Sequence, residues 1–350
     1  MPTQAIDVRE AVGRRLAHDI TKIQPGKFKG CYFKKGHLVQ EGDIPDFLDL
    51  GKEHIYVLDI KDDEIHEDDA VLLLAQSLAG RGVAFDPNPS EGKISFTAAA
   101  DGLLKVKAGT LESFNLLGEV MCATRHTNTV VKQGDVIGGT RAIPLIVKRD
   151  LIGKAVEIAG SGAGTLEVVP LKSARAALLI TGNEVYTGRI EDAFEPILRE
   201  KITELGSEVV AVTKCPDDVG FIAGEIRRAR RSGADLIILT GGMSVDPDDV
   251  TRMAVEAAGV EITAYGSAVL PGAMFMAAYM PPDAEGFRLP VLGVPACGIY
   301  HSRTIFDLVL PRVLAGELIT RAEIAKLGHG GLCLECDVCR FPVCPFGKAC

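Results

Sequence analysis

A chain of 350 residues, 47% hydrophobic and 24% charged, has material for two or three folded domains. Its formal net charge of -9 at pH 7 works against binding long nucleic acid, because neutralising phosphates needs an excess of Lys and Arg. Trp is absent and aromatic residues make up only 5%, so aromatic stacking platforms are not expected, and no run approaches the roughly 20 apolar residues of a membrane span.

Met1 to Val12 mixes Gln, Asp, Arg and Glu without an apolar core, so no secretory signal is expected and the cytoplasm is the expected compartment. Residues 1–75 read as an N-terminal α+β region. Within it Val8 to Ile20 is helix-like, and Lys27 to Gly36 reads as a hairpin with solvated lysines in preference to a ligand site. Residues 76–170 read as a β-rich subdomain, with short runs at Ile94 to Thr97, Leu103 to Val106 and Ala142 to Val147 punctuated by Gly-containing turns. Gly160 to Gly164 reads as a flexible join.

Residues 171–318 are more regular. Apolar strands are expected at Ala176 to Thr181, Glu208 to Thr213, Asp235 to Thr240 and Leu289 to Val294. Helices are expected between them, at Asp192 to Leu205, Val219 to Ser232 and Val250 to Ala258, with a last one at Tyr300 to Leu314. Strands joined by single helices run parallel with right-handed crossovers, so the expected fold is α/β: a three-layer, doubly wound, mostly parallel sheet. Ligands of such sheets bind beyond the carboxyl ends of the strands. Three loops meet there: Thr181-Gly182-Asn183-Glu184, the run from Thr240 to Thr251, and Val294-Pro295-Ala296-Cys297-Gly298. Gly241 and Gly242 let backbone amides approach a ligand, and the next helix offers its positive end, which suits a phosphate. A side chain at Gly242 is expected to fill the space that phosphate needs. Asp246, Asp248 and Asp249 would repel a phosphate unless a divalent cation such as Mg²⁺ or the helix N-terminus offsets them; alternatively Asp248 or Asp249 only caps the helix.

The run Thr240-Gly-Gly-Met-Ser-Val-Asp-Pro-Asp-Asp-Val-Thr251 resembles the pterin-phosphate loop of the molybdopterin-binding domains of molybdenum cofactor biosynthesis, those of molybdopterin molybdotransferase and molybdopterin adenylyltransferase. Thr181-Gly-Asn-Glu184, Pro216-Asp-Asp218 and Pro271-Gly272 match in order over about 145 residues, and Ala11 to Ile20 is similar to the opening of the molybdotransferase. The resemblance implies that the pterin phosphate or its adenylate is bound by Thr181, Gly182, Asn183, Glu184, Thr240, Gly241, Gly242, Met243, Ser244, Asp246, Asp248, Thr251, Pro271, Gly272, Pro295 and Cys297. It also implies that Asp249 is the catalytic carboxylate, with Mg²⁺ as helper. Leu270 stands where the transferase has lysine, Cys297 where it has asparagine, and Asp246 where it has glycine. Those departures leave pterin binding in place and argue against molybdate insertion. Cys297 either meets the ligand's dithiolene or metal, or is a packing cysteine.

Nine cysteines include five in the last eighteen residues, within a tail spanning 319–350. Cys333-x2-Cys336-x2-Cys339-x4-Cys344-Pro345, followed by Cys350, differs by one residue from the cysteine run of bacterial ferredoxins. An iron-sulfur cluster is expected at Cys333, Cys336, Cys339 and Cys344, with Cys350 spare or an exchangeable fifth thiol; zinc is the next reading and an idle tail the third. With few apolar residues, the tail is expected to need a metal or cross-link to become ordered. Two functions compete: a transferase-like enzyme that adenylylates or metallates the pterin, and a non-catalytic molybdopterin carrier or sensor. A nucleotide or amide hydrolase on the same fold is the weaker third. Expected partners are molybdopterin or its adenylate, other cofactor-biosynthesis proteins or molybdoenzymes, and a second copy of the chain, with neither nucleic acid nor membrane.

Overall fold

The structure, a computed structural model, describes residues 3–24, 28–58, 60–90, 92–160, 164–243 and 249–348. At the N-terminal end Thr3–Asp7 pairs antiparallel with His54–Leu58, and Ile20–Gln24 pairs with Phe28–Phe33. The helix expected from Val8 to Ile20 is absent. Val8–Glu10 makes one 3-10 turn, Gly13 takes φ +81°, and Arg15 and Leu16 then bridge to Leu38 and Val57. A left-handed glycine ends the turn, and the extended chain gains strand partners instead. Val8, Ala11, Leu16 and Ile20 still face inward, against Phe33, Phe47 and Val57.

The next unit is a β-rich α+β body. Helices Glu67–Leu78 and Arg149–Ala159 share a core with a four-stranded antiparallel sheet made of Val83–Phe85, Lys93–Ala98, Val136–Ala142 and Val120–Thr124. The first of these helices runs through the boundary expected at residue 75. The strand expected from Ala142 to Val147 is two strands. One ends at Ala142, and Ile146–Lys148 pairs instead with Glu64–His66. Pro144 lies between them and has no N-H to give a sheet ladder.

The α/β domain follows with β1 (Arg175–Thr181), α1 (Asn183–Tyr186), α2 (Phe194–Glu204), β2 (Glu208–Cys215), α3 (Val219–Arg231) and β3 (Leu236–Thr240). It continues with α4 (Thr251–Ala257), β4 (Glu261–Tyr265), β5 (Met276–Tyr279), β6 (Pro290–Val294), α5 (Ile305–Leu314) and α6 (Arg321–Lys326). The sheet order is β2-β1-β3-β6-β5-β4. β2, β1, β3 and β6 run parallel, whereas β5 is antiparallel to both of its neighbours. The expected three-layer, mostly parallel sheet is therefore present, with the unexpected strands β4 and β5 added at one edge.

Alternation along the central strands builds two cores. Leu178, Ile180, Ile238 and Leu292 face α2 and α5, while Leu179, Ile237, Leu239 and Val291 face α3 and α4. Both faces are dry, which explains why these strands read as unbroken apolar runs. The tail after α6 docks on the first core. Phe346 is buried within it, and Phe341, Cys333 and Cys344 pack against it. Cys333 N donates to Leu270 O at 2.8 Å, and Leu270 N donates to Gly331 O at 2.8 Å. Burial on its neighbour thus supplies order that the tail's own composition does not suggest.

Candidate ligand-binding site

β1, β3 and β6 end side by side, and so bring Thr181, Thr240 and Val294 to one edge of the sheet. From there the chain builds a braced loop. The buried Thr181 hydroxyl donates to Thr240 O at 2.6 Å and lies 3.3 Å from the Thr251 hydroxyl. Thr251 N donates to Gly242 O at 3.1 Å, and the Tyr265 hydroxyl donates to Met243 O at 2.6 Å. Gly242 sits at φ +58°, and a Cβ there would lie 2.4 Å from Thr251 Oγ1. A side chain at Gly242 would therefore meet the threonine brace under the loop.

In front of the loop lies a cavity of about 570 Å³. Of the expected site residues, Gly241, Gly242, Met243, Asp249, Pro271, Gly272, Pro295 and Cys297 line it. Thr181 and Thr251 are buried beneath it as braces, and Thr240 is fully buried at the end of β3. Gly182, Asn183 and Glu184 do not line the cavity. Asn183 is instead locked to the neighbouring turn, its N-H donating to Asp217 Oδ2 at 2.8 Å while Asp217 N donates to Asn183 Oδ1 at 3.1 Å. Asp218 caps α3 through Phe221 N at 2.7 Å. Ser244, Asp246, Asp248 and Cys350 lie outside the described residues, so the acidic run is represented here by Asp249 alone.

Leu270, which the motif comparison singled out, lines it too, and so do walls that sequence reasoning missed: His301, with Leu332, Cys333 and Glu335 of the tail. His301 Nδ1 stands 3.4 Å from Glu335 Oε1, which closes the rim between the third loop and the tail. His301 could have been found by following the loop four residues beyond Cys297. Nothing local marks the tail residues, because their contact with the Leu270 segment spans some sixty positions.

The family model described as "Probable molybdopterin binding domain" matches residues 177–315. The α/β domain belongs to this molybdopterin-binding family. A second model, described as a domain of unknown function, matches residues 5–59. A CinA-like protein of Mycobacterium tuberculosis is 40% identical over 79 residues, which is 23% of this chain and 18% of that protein. The chain therefore spans less than a fifth of the curated relatives it matches. Among solved structures, a molybdopterin biosynthesis enzyme MoaB from Thermus thermophilus is 22% identical and covers 41% of this chain and 98% of its own, with a TM-score of 0.34. The tungsten cofactor synthesizing protein MoaB from Pyrococcus furiosus is 18% identical over 41% of this chain and 97% of its own, also with a TM-score of 0.34.

Within this molybdopterin-binding domain, two of the chain's departures from the motif, Leu270 and Cys297, lie in the cavity wall. Leu270, 55% exposed, offers the cavity an apolar side chain in place of a cation. Cys297 offers a thiol whose pKa burial pushes up, so it stays protonated near neutral pH and is a poor nucleophile as it stands. Asp249 supplies a hard oxygen donor of the kind Mg²⁺ takes one or two of, beside water and phosphate. Among the described residues no group of three or more His, Cys, Asp or Glu is arranged around a single metal ion, at this cavity or in the tail. No helix among the described residues is long and apolar enough to cross a membrane.

Proposed function

We propose that the 570 Å³ cavity binds the phosphate end of molybdopterin or of its adenylate, and that the protein handles this pterin during molybdenum cofactor biosynthesis. The observation that carries the reading is the braced Gly241-Gly242 loop, which opens on the cavity at the carboxyl ends of β1, β3 and β6. Backbone N-H groups at such a turn suit phosphate oxygens, and the threonine brace holds them in place before a ligand arrives. Asp249 at the cavity wall would hold Mg²⁺ against the phosphate or orient a water there. Mg²⁺ would supply charge neutralisation of the phosphate as it is transferred.

Leu270 in the wall favours adenylyl handling or carriage over molybdate insertion, since an apolar side chain gives an oxyanion no charge to meet. If no chemistry follows binding, the same cavity serves a molybdopterin carrier. Anaerobic incubation of the full chain with molybdopterin, ATP and Mg²⁺, and then molybdate, separates these. Formation of adenylylated pterin supports the transferase reading, whereas bound but unchanged pterin supports the carrier. Absence of pterin binding, with nucleotide or amide hydrolysis in its place, overturns both.

A further inference from the structure

The tail cysteines are separate from the pterin loop in sequence but not in space. Cys333, Cys336, Cys339 and Cys344 line a single cavity of about 70 Å³, together with Ser302, Arg303 and Arg340. A water needs roughly 10–15 Å³ by the same measure, so the space exceeds that of one small ion with its ligands drawn tight. A mononuclear zinc site draws its sulfurs onto one centre at about 2.3 Å each. In an iron-sulfur cluster the thiolates are spread over two to four irons of a larger unit, so four cysteines lining one cavity suit a cluster better than an ion.

Local folding brings them to this ring. Glu335 takes the left-handed conformation at φ +50°, which turns the chain between Cys333 and Cys336. Cys333 and Cys344 pack against the α/β core, while Cys336 and Cys339 are exposed at the outer side. Phe341 and Phe346 complete the cavity with apolar surface. Arg303, held by Asp307 at 3.0 Å, and Arg340 bring positive charge to a site where four thiolates would bring negative charge. In the ferredoxin run that this spacing nearly matches, the fourth cysteine serves a second cluster; here all four meet one cavity.

We propose that Cys333, Cys336, Cys339 and Cys344 ligate one iron-sulfur cluster, which abuts the larger cavity because Cys333 and Glu335 line both. Cys350 lies outside the described residues. The proposal stands independently of what the larger cavity binds. It is tested on the full chain purified anaerobically and, if colourless, reconstituted with ferrous iron, sulfide and a thiol reductant. The expected result is a brown protein with roughly two to four irons per chain, an equal amount of acid-labile sulfide, and broad visible absorbance that dithionite bleaches. Cys336→Ser and Cys339→Ser, at exposed positions, should lose most of the iron, sulfide and colour while keeping the parent's far-ultraviolet circular dichroism. Cys31→Ser, at an exposed position in the N-terminal hairpin, should keep all three. Stoichiometric zinc without sulfide would overturn the cluster in favour of a structural ion. Neither metal with all tail thiols freely titratable, or full clusters in both tail variants, would overturn it equally.

Discussion

Gly242→Ala tests the braced loop most sharply. Gly242 and Gly259 both lie in the α/β domain at positive φ, +58° and +79°, but a Cβ at Gly259 meets nothing within 4 Å whereas one at Gly242 comes within 2.4 Å of Thr251 Oγ1. The left-handed backbone alone costs a side chain about 1–2 kcal/mol. Overpacking a tight site adds about 1–3 kcal/mol. Gly259→Ala should therefore lose about 1–2 kcal/mol and Gly242→Ala about 2–5 kcal/mol. Because Thr251 Oγ1 is the atom in the way, Thr251→Ala in the same chain should recover about 1–3 kcal/mol, a non-additivity expected of residues in contact. Urea unfolding followed by far-ultraviolet circular dichroism reads the parent, the three single variants and the Gly242→Ala/Thr251→Ala double variant. Equal losses at the two glycines, or strict additivity of Gly242→Ala with Thr251→Ala, would refute the brace.

Asp307 is nearly buried, accepts from Thr304 N at 2.7 Å in the capping box of α5, and pairs with Lys201, whose side chain is only 13% exposed. Asp307→Ala should cost about 3–5 kcal/mol, because it leaves a buried cation unmatched; a loss below 1 kcal/mol in a urea melt would show that the pair is dispensable. The Lys326 ammonium and the Arg312 guanidinium hold the Glu323 carboxyl below its ordinary value of 4.5. A depressed folded-state value means that the contribution is complete above that ordinary value and disappears as pH falls through the lowered one. The parent's melting temperature should then fall more steeply than that of Glu323→Gln as pH drops below 4.5, and parallel slopes would contradict the assignment. If the protein turns over pterin phosphate, Asp249→Asn should reduce kcat far more than it weakens binding, and unchanged turnover would remove Asp249 from the chemistry.

The parts of the fold that sequence made legible are those whose physics is local. β1, β3 and β6 are buried on both faces, so Leu178-Leu179-Ile180 and Leu236-Ile237-Ile238-Leu239 announce themselves as apolar runs. β5, only four residues of Met-Ala-Ala-Tyr, carries no β-branched side chain and no alternation, and its place is fixed by pairing with β4 and β6. The Val8 to Ile20 segment misled for the opposite reason. Its buried residues have near-helical spacing, but Gly13 and long-range bridges decide in favour of extended chain. At the site, Gly241, Gly242 and Asp249 were legible because turn chemistry and strand ends are local signals. That Asn183 ties down a turn while the tail supplies a cavity wall is a matter of tertiary packing.

The central claim, a pterin phosphate in the cavity before the Gly241-Gly242 loop, is tested most directly by anaerobic titration of the full chain with molybdopterin, followed by pterin fluorescence. Ala296 is exposed and lines the cavity, so Ala296→Trp should fill that space without disturbing the core. The expected result is saturable binding of one pterin per chain, lost in Ala296→Trp at an unchanged melting temperature; binding that is absent from the parent, or undiminished in the variant, would contradict the claim.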